Sequence, residues 1–234
     1  MAKSNSPQAL TVVSLTTPDD VSATFEAITQ FDDRTFGFNH HKTWEAMPVA
    51  LRGELDPERV ASSYAGAHPR VLSCIQGLFT LGRAVRLPTR KFSAYRDSGL
   101  RNVETIDWSP EVGVRVRGEC WYVVDDIPHI PLLQPRKEAL NPERLAVFAE
   151  ISRHAYCKDV WSDAQINIVD LSGDDPTECA RFVDMDELPA VSDDLIRSYI
   201  ETYVAAKKQA DAHRASKKAV VALKKTPLEA FLDE

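Results

Sequence analysis

The sequence predicts an α+β fold: a central mixed sheet of about four to five strands, flanked by helices in α-β-β-β-α-β order, with a long C-terminal helix. Three observations predict it. Apolar and polar residues alternate from Val112, with Val114, Val116, Cys120, Tyr122 and Val124 against Arg115, Arg117, Glu119 and Trp121. That period of two belongs to a half-buried strand. The stretches 70–85 and 141–156 instead space their apolar residues as helices do. Two short apolar runs, 129–134 and "AQINIVDLS", have the length of strands.

Taken in order, residues 1–69 read as an irregular or helical extension. Pro18-Asp19-Asp20 suits the start of a short helix, and Asp56-Pro57 suits another, with the aspartate as cap and the proline at the first helical position. His40 and His41 are adjacent, so they point in different directions on any regular element; they read as surface or capping residues. The core domain, 70–190, opens with a helix whose stripe is Val71, Leu72, Ile75, Leu78, Phe79 and Leu81. "RNVETIDW" is a short strand, and Ser109-Pro110-Glu111 turns the chain into the alternating strand 112–124. Asp125-Asp126 turns it again into the strand 129–134. Asn141-Pro142-Glu143 caps a helix that offers Leu145, Val147, Phe148 and Ile151 to a core. A strand over 164–171 and an edge strand over 178–185 follow.

The segment 191–234 opens near Ser192 as a helix with Asp193 and Asp194 in its first turn, where acids suit the helix dipole. Leu195, Ile196, Tyr199, Ile200 and Tyr203 form its apolar face. Beyond about residue 207 that face gives way to "KKQADAHRASKK", so this part is expected to be exposed and to touch little of its own chain. The end, "TPLEAFLDE", pairs a capping box (Thr226, Glu229) with Leu228, Phe231 and Leu232, a fit for a partner's groove or for a second copy of the chain.

Composition narrows the function. With 44% hydrophobic and 27% charged residues, the 234-residue chain has the make-up of a globular protein with a proper core. No apolar run has the length of a membrane span, and the first twenty residues lack the build of a secretory signal. Cys74, Cys120, Cys157 and Cys179 are scattered without C-x-x-C spacing, as in a reducing cytoplasm. There is no G-x-S-x-G, phosphate-loop or dinucleotide glycine pattern, and no Cys–His context for a thiol nucleophile. The net charge of −7 is unevenly spread: 207–225 carries +6, and 83–101 carries +5. In the second stretch Arg86, Arg90, Lys91 and Arg96 surround Phe92 and Tyr95, a mixture suited to DNA or RNA, because the field near a surface follows its nearest charges.

The order of elements over residues 70–172, with an acid on the second strand and a polar pair at alternate positions of the third, resembles the core of the PD-(D/E)XK nuclease superfamily. The resemblance implies a Mg²⁺-dependent phosphodiester hydrolase, or a degenerate relative that only binds nucleic acid. In that family an acid on one strand and an acid-x-lysine pair on the next hold the metal, which wants hard oxygen ligands. By the resemblance Glu119 would be the second-strand acid, or Asp125 or Asp126 in a later register, with Glu119 and Asp126 as the metal-binding pair. Gln134-x-Arg136 would occupy the acid-x-lysine positions, with Lys137 directly after. Glutamine offers a neutral carbonyl there, and arginine has no accessible neutral form to act as a base. The same tetrapeptide also reads as a plain basic strand end. A second class of function remains beside the first: an adaptor that binds a protein partner through its C-terminal helix and tail.

Overall fold

The computed structural model describes residues 6–33, 40–53, 62–85, 91–94, 103–109 and 112–224, with the single positions 59 and 87. The fold is α+β, with a five-stranded mixed sheet, a separate two-stranded sheet and a long C-terminal helix. Helices α1 (Ala9–Leu15), α2 (Val21–Asp33), α3 (His41–Leu51) and α4 (Pro69–Val85) come first. Strands β1 (Lys91–Ala94), β2 (Val103–Ser109), β3 (Val112–Arg117), β4 (Cys120–Val124) and β5 (Ile127–Gln134) follow. Then come α5 (Pro142–Tyr156), β6 (Gln165–Asp170), the short α6 (Pro176–Cys179), β7 (Arg181–Asp184) and α7 (Asp193–Lys224).

The expected strand over 112–124 is two strands in two sheets. β3 pairs with β2 alone, whereas β4 pairs with β1 and β5 in the larger sheet. The break falls at Gly118-Glu119, where the Tyr156 hydroxyl of α5 accepts from the Gly118 N–H (2.8 Å) and donates to the Val116 carbonyl (3.2 Å). The side chain takes up the backbone groups that a continuous ladder would have used. The alternation carries on unbroken across the gap, which is why the sequence reads as one strand. The expected first strand, "RNVETIDW", is β2 and lies with β3 outside the main sheet. Its place there is taken by β1, a segment not expected to be a strand, while β5, α5 and β6 follow in the expected order. β7 adds an edge, preceded by α6, so the expected edge strand 178–185 starts later than its pattern suggests.

Strand order in the main sheet is β1-β4-β5-β6-β7, with β5 and β6 parallel and every other neighbour antiparallel. Parallel neighbours need a crossover, and α5 supplies it. Asn141 caps that helix by accepting from the Arg144 N–H, with Pro142 in the first turn, as the sequence indicates. One sheet face offers Cys120, Leu133, Val169 and Phe182 to α3 and α4, whose Met47, Leu51, Ile75, Leu78 and Phe79 complete a buried cluster. The other face, with Ile130, Leu132, Ile166 and Ile168 buried, is left for Leu145, Phe148 and Ile151 of α5. Burying each of these three side chains stabilises by about 2 kcal/mol.

By its contacts the chain divides into two units, one of residues 1–14 and 36–196 and one of 15–35 and 197–234. The expected boundaries put 15–35 with the N-terminal extension; the contacts put it with the C-terminal helix. Inside that second unit, the Asp19 N–H donates to the Thr202 hydroxyl (3.1 Å) and the Ser198 hydroxyl to the Asp19 carboxylate (2.8 Å). Asp32 pairs with Arg214 and with Lys207, and the Phe25 ring meets His213 edge-on. The expected detached arm beyond residue 207 is therefore corrected as far as 217. Residues 211–217 are exposed, yet Ala210 is buried and Lys207 and Arg214 are tied to α2. Alanines at 206 and 210 carry the buried stripe onward one turn apart, and small residues are easily missed in an apolar pattern.

Among the described residues no helix is long and apolar enough to cross a membrane. Cys74 and Cys120 are buried, Cys157 is partly so, and Cys179 is exposed; all four are free thiols. The helix start expected at Asp56-Pro57 lies outside the described residues.

Candidate functional site

Because β4 runs antiparallel to β5, the start of β4 lies beside the end of β5; because β6 is parallel to β5, it ends there too. This one end of the sheet collects Glu119, just before β4, Gln134, the last residue of β5, and Asp170, the last of β6 and the register partner of Gln134. Asp125 and Asp126 form the two-residue hairpin between β4 and β5, both at positive φ (49° and 65°), as the tight turns favoured in hairpins require. They sit at the opposite end of β5, about 25 Å from Gln134 at a strand's rise. The later register is therefore closed: neither Asp125 nor Asp126 can share a site with Gln134, and Glu119 with Asp126 is not a metal pair.

Gln134 is fully buried, and its amide is committed to backbone. Nε2 donates to the Glu138 carbonyl (3.1 Å), while Oε1 accepts from the Arg136 N–H (2.7 Å), so the side chain stitches the turn that follows β5. The Arg136 guanidinium donates to the Thr11 hydroxyl (2.9 Å). Glu119, also buried, is ion-paired with Arg117, whose guanidinium lies over the Trp44 ring at 5.0 Å. Asp170, 2% exposed, accepts from the Ser172 N–H (3.0 Å) and from Arg181 (3.3 Å). Asp170 is the site residue that the sequence reading missed. A lone acid at the end of an apolar run is a common sight, and only the parallel register sets it beside Gln134.

Positive groups gather here. Arg70, at the start of α4, donates to the carbonyls of Leu171 and Gly173 (both 2.7 Å) and, at 3.5 Å, of Pro135, so it holds the ends of β5 and β6 together. Lys137, exposed, pairs with Asp174 at 2.6 Å. Next to Trp44, edge-on at 6.3 Å, stands His40, which does occupy the N-cap position of α3; its Nδ1 is 3.4 Å from the Thr43 hydroxyl. Burial first, and then the positive charges of Arg70, Arg136 and His68, hold the His40 imidazole down to about 4. His41, exposed, sits 3.4 Å from Glu45.

That depression has a measurable consequence. A histidine whose folded value lies below its unfolded one of 6.5 takes up its proton on unfolding, so stability is lost as pH falls from 6.5 towards 4. His40→Asn keeps a polar side chain at the N-cap position and removes the titration. The variant should lose less stability than the wild type between those two pH values in urea unfolding; parallel losses would show that His40 does not titrate this way.

Among the sequence-derived nucleic-acid candidates, Lys91 and Phe92 lie on β1, paired with Val123 and Tyr122. Arg86, Arg90, Tyr95 and Arg96 lie outside the described residues, as do Leu228, Phe231 and Leu232 of the tail. Among the described residues, no three His, Cys, Asp or Glu side chains group as metal ligands. No family model, no curated protein and no solved structure matches the chain.

Proposed function

We propose that this protein is a nuclease-like fold that does not cut, and that it holds the phosphate backbone of a nucleic acid at the end of its main sheet. One observation carries the reading: Arg70, Arg117, Arg136 and Lys137 gather where Gln134-x-Arg136 stands in place of an acid-x-lysine pair. Cations clustered at one end of an acidic molecule draw phosphate locally, whatever the net charge. The helix–three strands–helix–strand order of the main sheet supports the resemblance behind it.

The oxygen groups at this end do not fit Mg²⁺, which takes hard oxygens in a near-octahedral shell. Each is engaged by N–H donors: Glu119 by Arg117, Gln134 by the Arg136 backbone, Asp170 by Ser172 and Arg181. A guanidinium also occupies the place where a base would be needed. The site's own chemistry is anion binding.

Fluorescence anisotropy with labelled single- and double-stranded DNA and RNA tests this. Binding should weaken steeply with salt, since each phosphate contact releases counterions. Arg136→Ala with Lys137→Ala should weaken it by about tenfold at 0.1 M salt, the loss of roughly two contacts. No salt-sensitive binding, or binding unchanged in the double variant, would remove the proposal. Cleavage with Mg²⁺ or Mn²⁺ that disappears in Glu119→Ala would establish a cutting enzyme instead.

A further inference from the structure

At the cationic end, the chain leaving β6, Leu171-Ser172-Gly173-Asp174-Asp175, is laced to the chain leaving β5. Three bonds to main-chain carbonyls fix it. The Leu171 N–H donates to the Gln134 carbonyl (2.9 Å), the Gly173 N–H to the Lys137 carbonyl (2.8 Å), and Arg70 to the Gly173 carbonyl (2.7 Å). Gly173 stands at φ 99°, a region that a side chain would strain, so a glycine makes the turn these bonds require. Asp174 follows directly, and its carboxylate takes the Lys137 ammonium at 2.6 Å. The backbone bond and the ion pair join the same two segments, so the fold itself sets the pair.

Lys137 and Asp174 are both exposed, and an exposed pair is individually weak, because water screens it and two mobile side chains must be held. The Lys137 hydrogen bond, and then its charge, hold the Asp174 carboxyl below the usual carboxylate range, so the acid is ionised near neutral pH. Asp175, equally exposed, is engaged elsewhere: its carboxylate accepts from the Thr177 N–H (2.9 Å) and hydroxyl (2.6 Å) and caps α6. Among the described residues, then, the carboxylate on Lys137 is that of Asp174. To an ammonium, a carboxylate and a phosphodiester look alike: each is a singly charged group that presents oxygen acceptors.

We infer that Asp174 is an autoinhibitory contact: it holds the place of a nucleic-acid phosphate on Lys137 and is displaced when the polymer binds. This rests on the phosphate-binding reading above. A polymer presents a row of phosphates and gains by releasing its counterions, so it displaces a single carboxylate. The pair therefore weakens binding without closing the site.

A double-mutant cycle on the full chain tests it, read by fluorescence anisotropy with labelled single-stranded DNA and RNA at about 0.1 M salt. Asp174→Asn should tighten binding by about threefold, the size of one exposed pair. Asp175→Asn makes the same change in net charge one residue away, and asparagine still caps a helix, so its gain should be clearly smaller. In the Lys137→Ala background, which keeps Arg70 and Arg136, Asp174→Asn should change nothing. Equal gains at 174 and 175, or a gain at 174 that persists without Lys137, would reduce the effect to net charge and overturn the inference. Wild-type binding with no gain in Asp174→Asn would overturn it and leave the proposed function standing. No binding by any of these proteins would remove both.

Discussion

Alanine at position 82 should destabilise the main unit by about 3 kcal/mol, at the upper end for an overpacked site. A Cβ on Gly82 would overlap the carbonyl oxygen of Ala50 and lie 2.8 Å from its carbon, because α4 crosses α3 there with backbone against backbone. No rotamer change relieves a clash with a main-chain carbonyl. The helices must separate, and Met47, Leu51, Leu78 and Phe79 then lose packing together. Urea unfolding gives the measurement. Gly66→Ala is the control: its φ of 86° strains an alanine, but nothing lies within 4 Å, so about 1 kcal/mol is expected from the backbone alone. Equal losses at the two positions would mean that the α3–α4 crossing is not as close as described.

Gln134→Glu, which restores an acid at the place where the nuclease resemblance expects one, should cost about 3 kcal/mol near neutral pH rather than create a metal site. Gln134 is fully buried, and its Nε2 donates to the Glu138 carbonyl; a carboxylate has no proton to give, so two acceptors would face each other. Asp170, its register partner, adds a second carboxylate. Burial and like charge both raise the new acid's folded pKa above its unfolded value. The penalty is therefore smallest in acid, where the group is protonated in both states, and grows as pH rises through the unfolded value of about 4.3. Melting of variant and wild type across pH checks the sign. A variant as stable as wild type at neutral pH, and further stabilised by millimolar Mg²⁺, would reverse the assignment of this end of the sheet as an anion site.

Local signals were legible where chemistry is local. Asn141-Pro142 marks the start of α5 because a cap and a proline act within one turn, and the 70–85 stripe marks α4 because 3.6-residue spacing alone decides which face is buried. The Gly118-Glu119 break was not legible. Its cause is the Tyr156 hydroxyl, which comes from a helix 38 residues away in sequence. Of the candidate site, Glu119, Gln134, Arg136 and Lys137 were visible as polar residues at a strand end. Asp170, Arg70 and the His40 environment were not, since each depends on a partner brought from a distant segment.

What the sequence determined by itself was the inventory: which segments alternate, which spiral, where the chain turns, and that Gln134, Arg136 and Lys137 stand together where a strand ends. Tertiary structure alone decided what these residues can do. Strand direction sent Asp125 and Asp126 to one end of β5 and Gln134 to the other; parallel pairing set Asp170 beside Gln134. Burial turned a polar amide into a backbone clamp, and strand pairing set Asn167 between His129 and Asp184. Periodicity constrains a segment against its own axis, whereas register, direction and protonation are properties of pairs, and a pair exists only once the chain has folded.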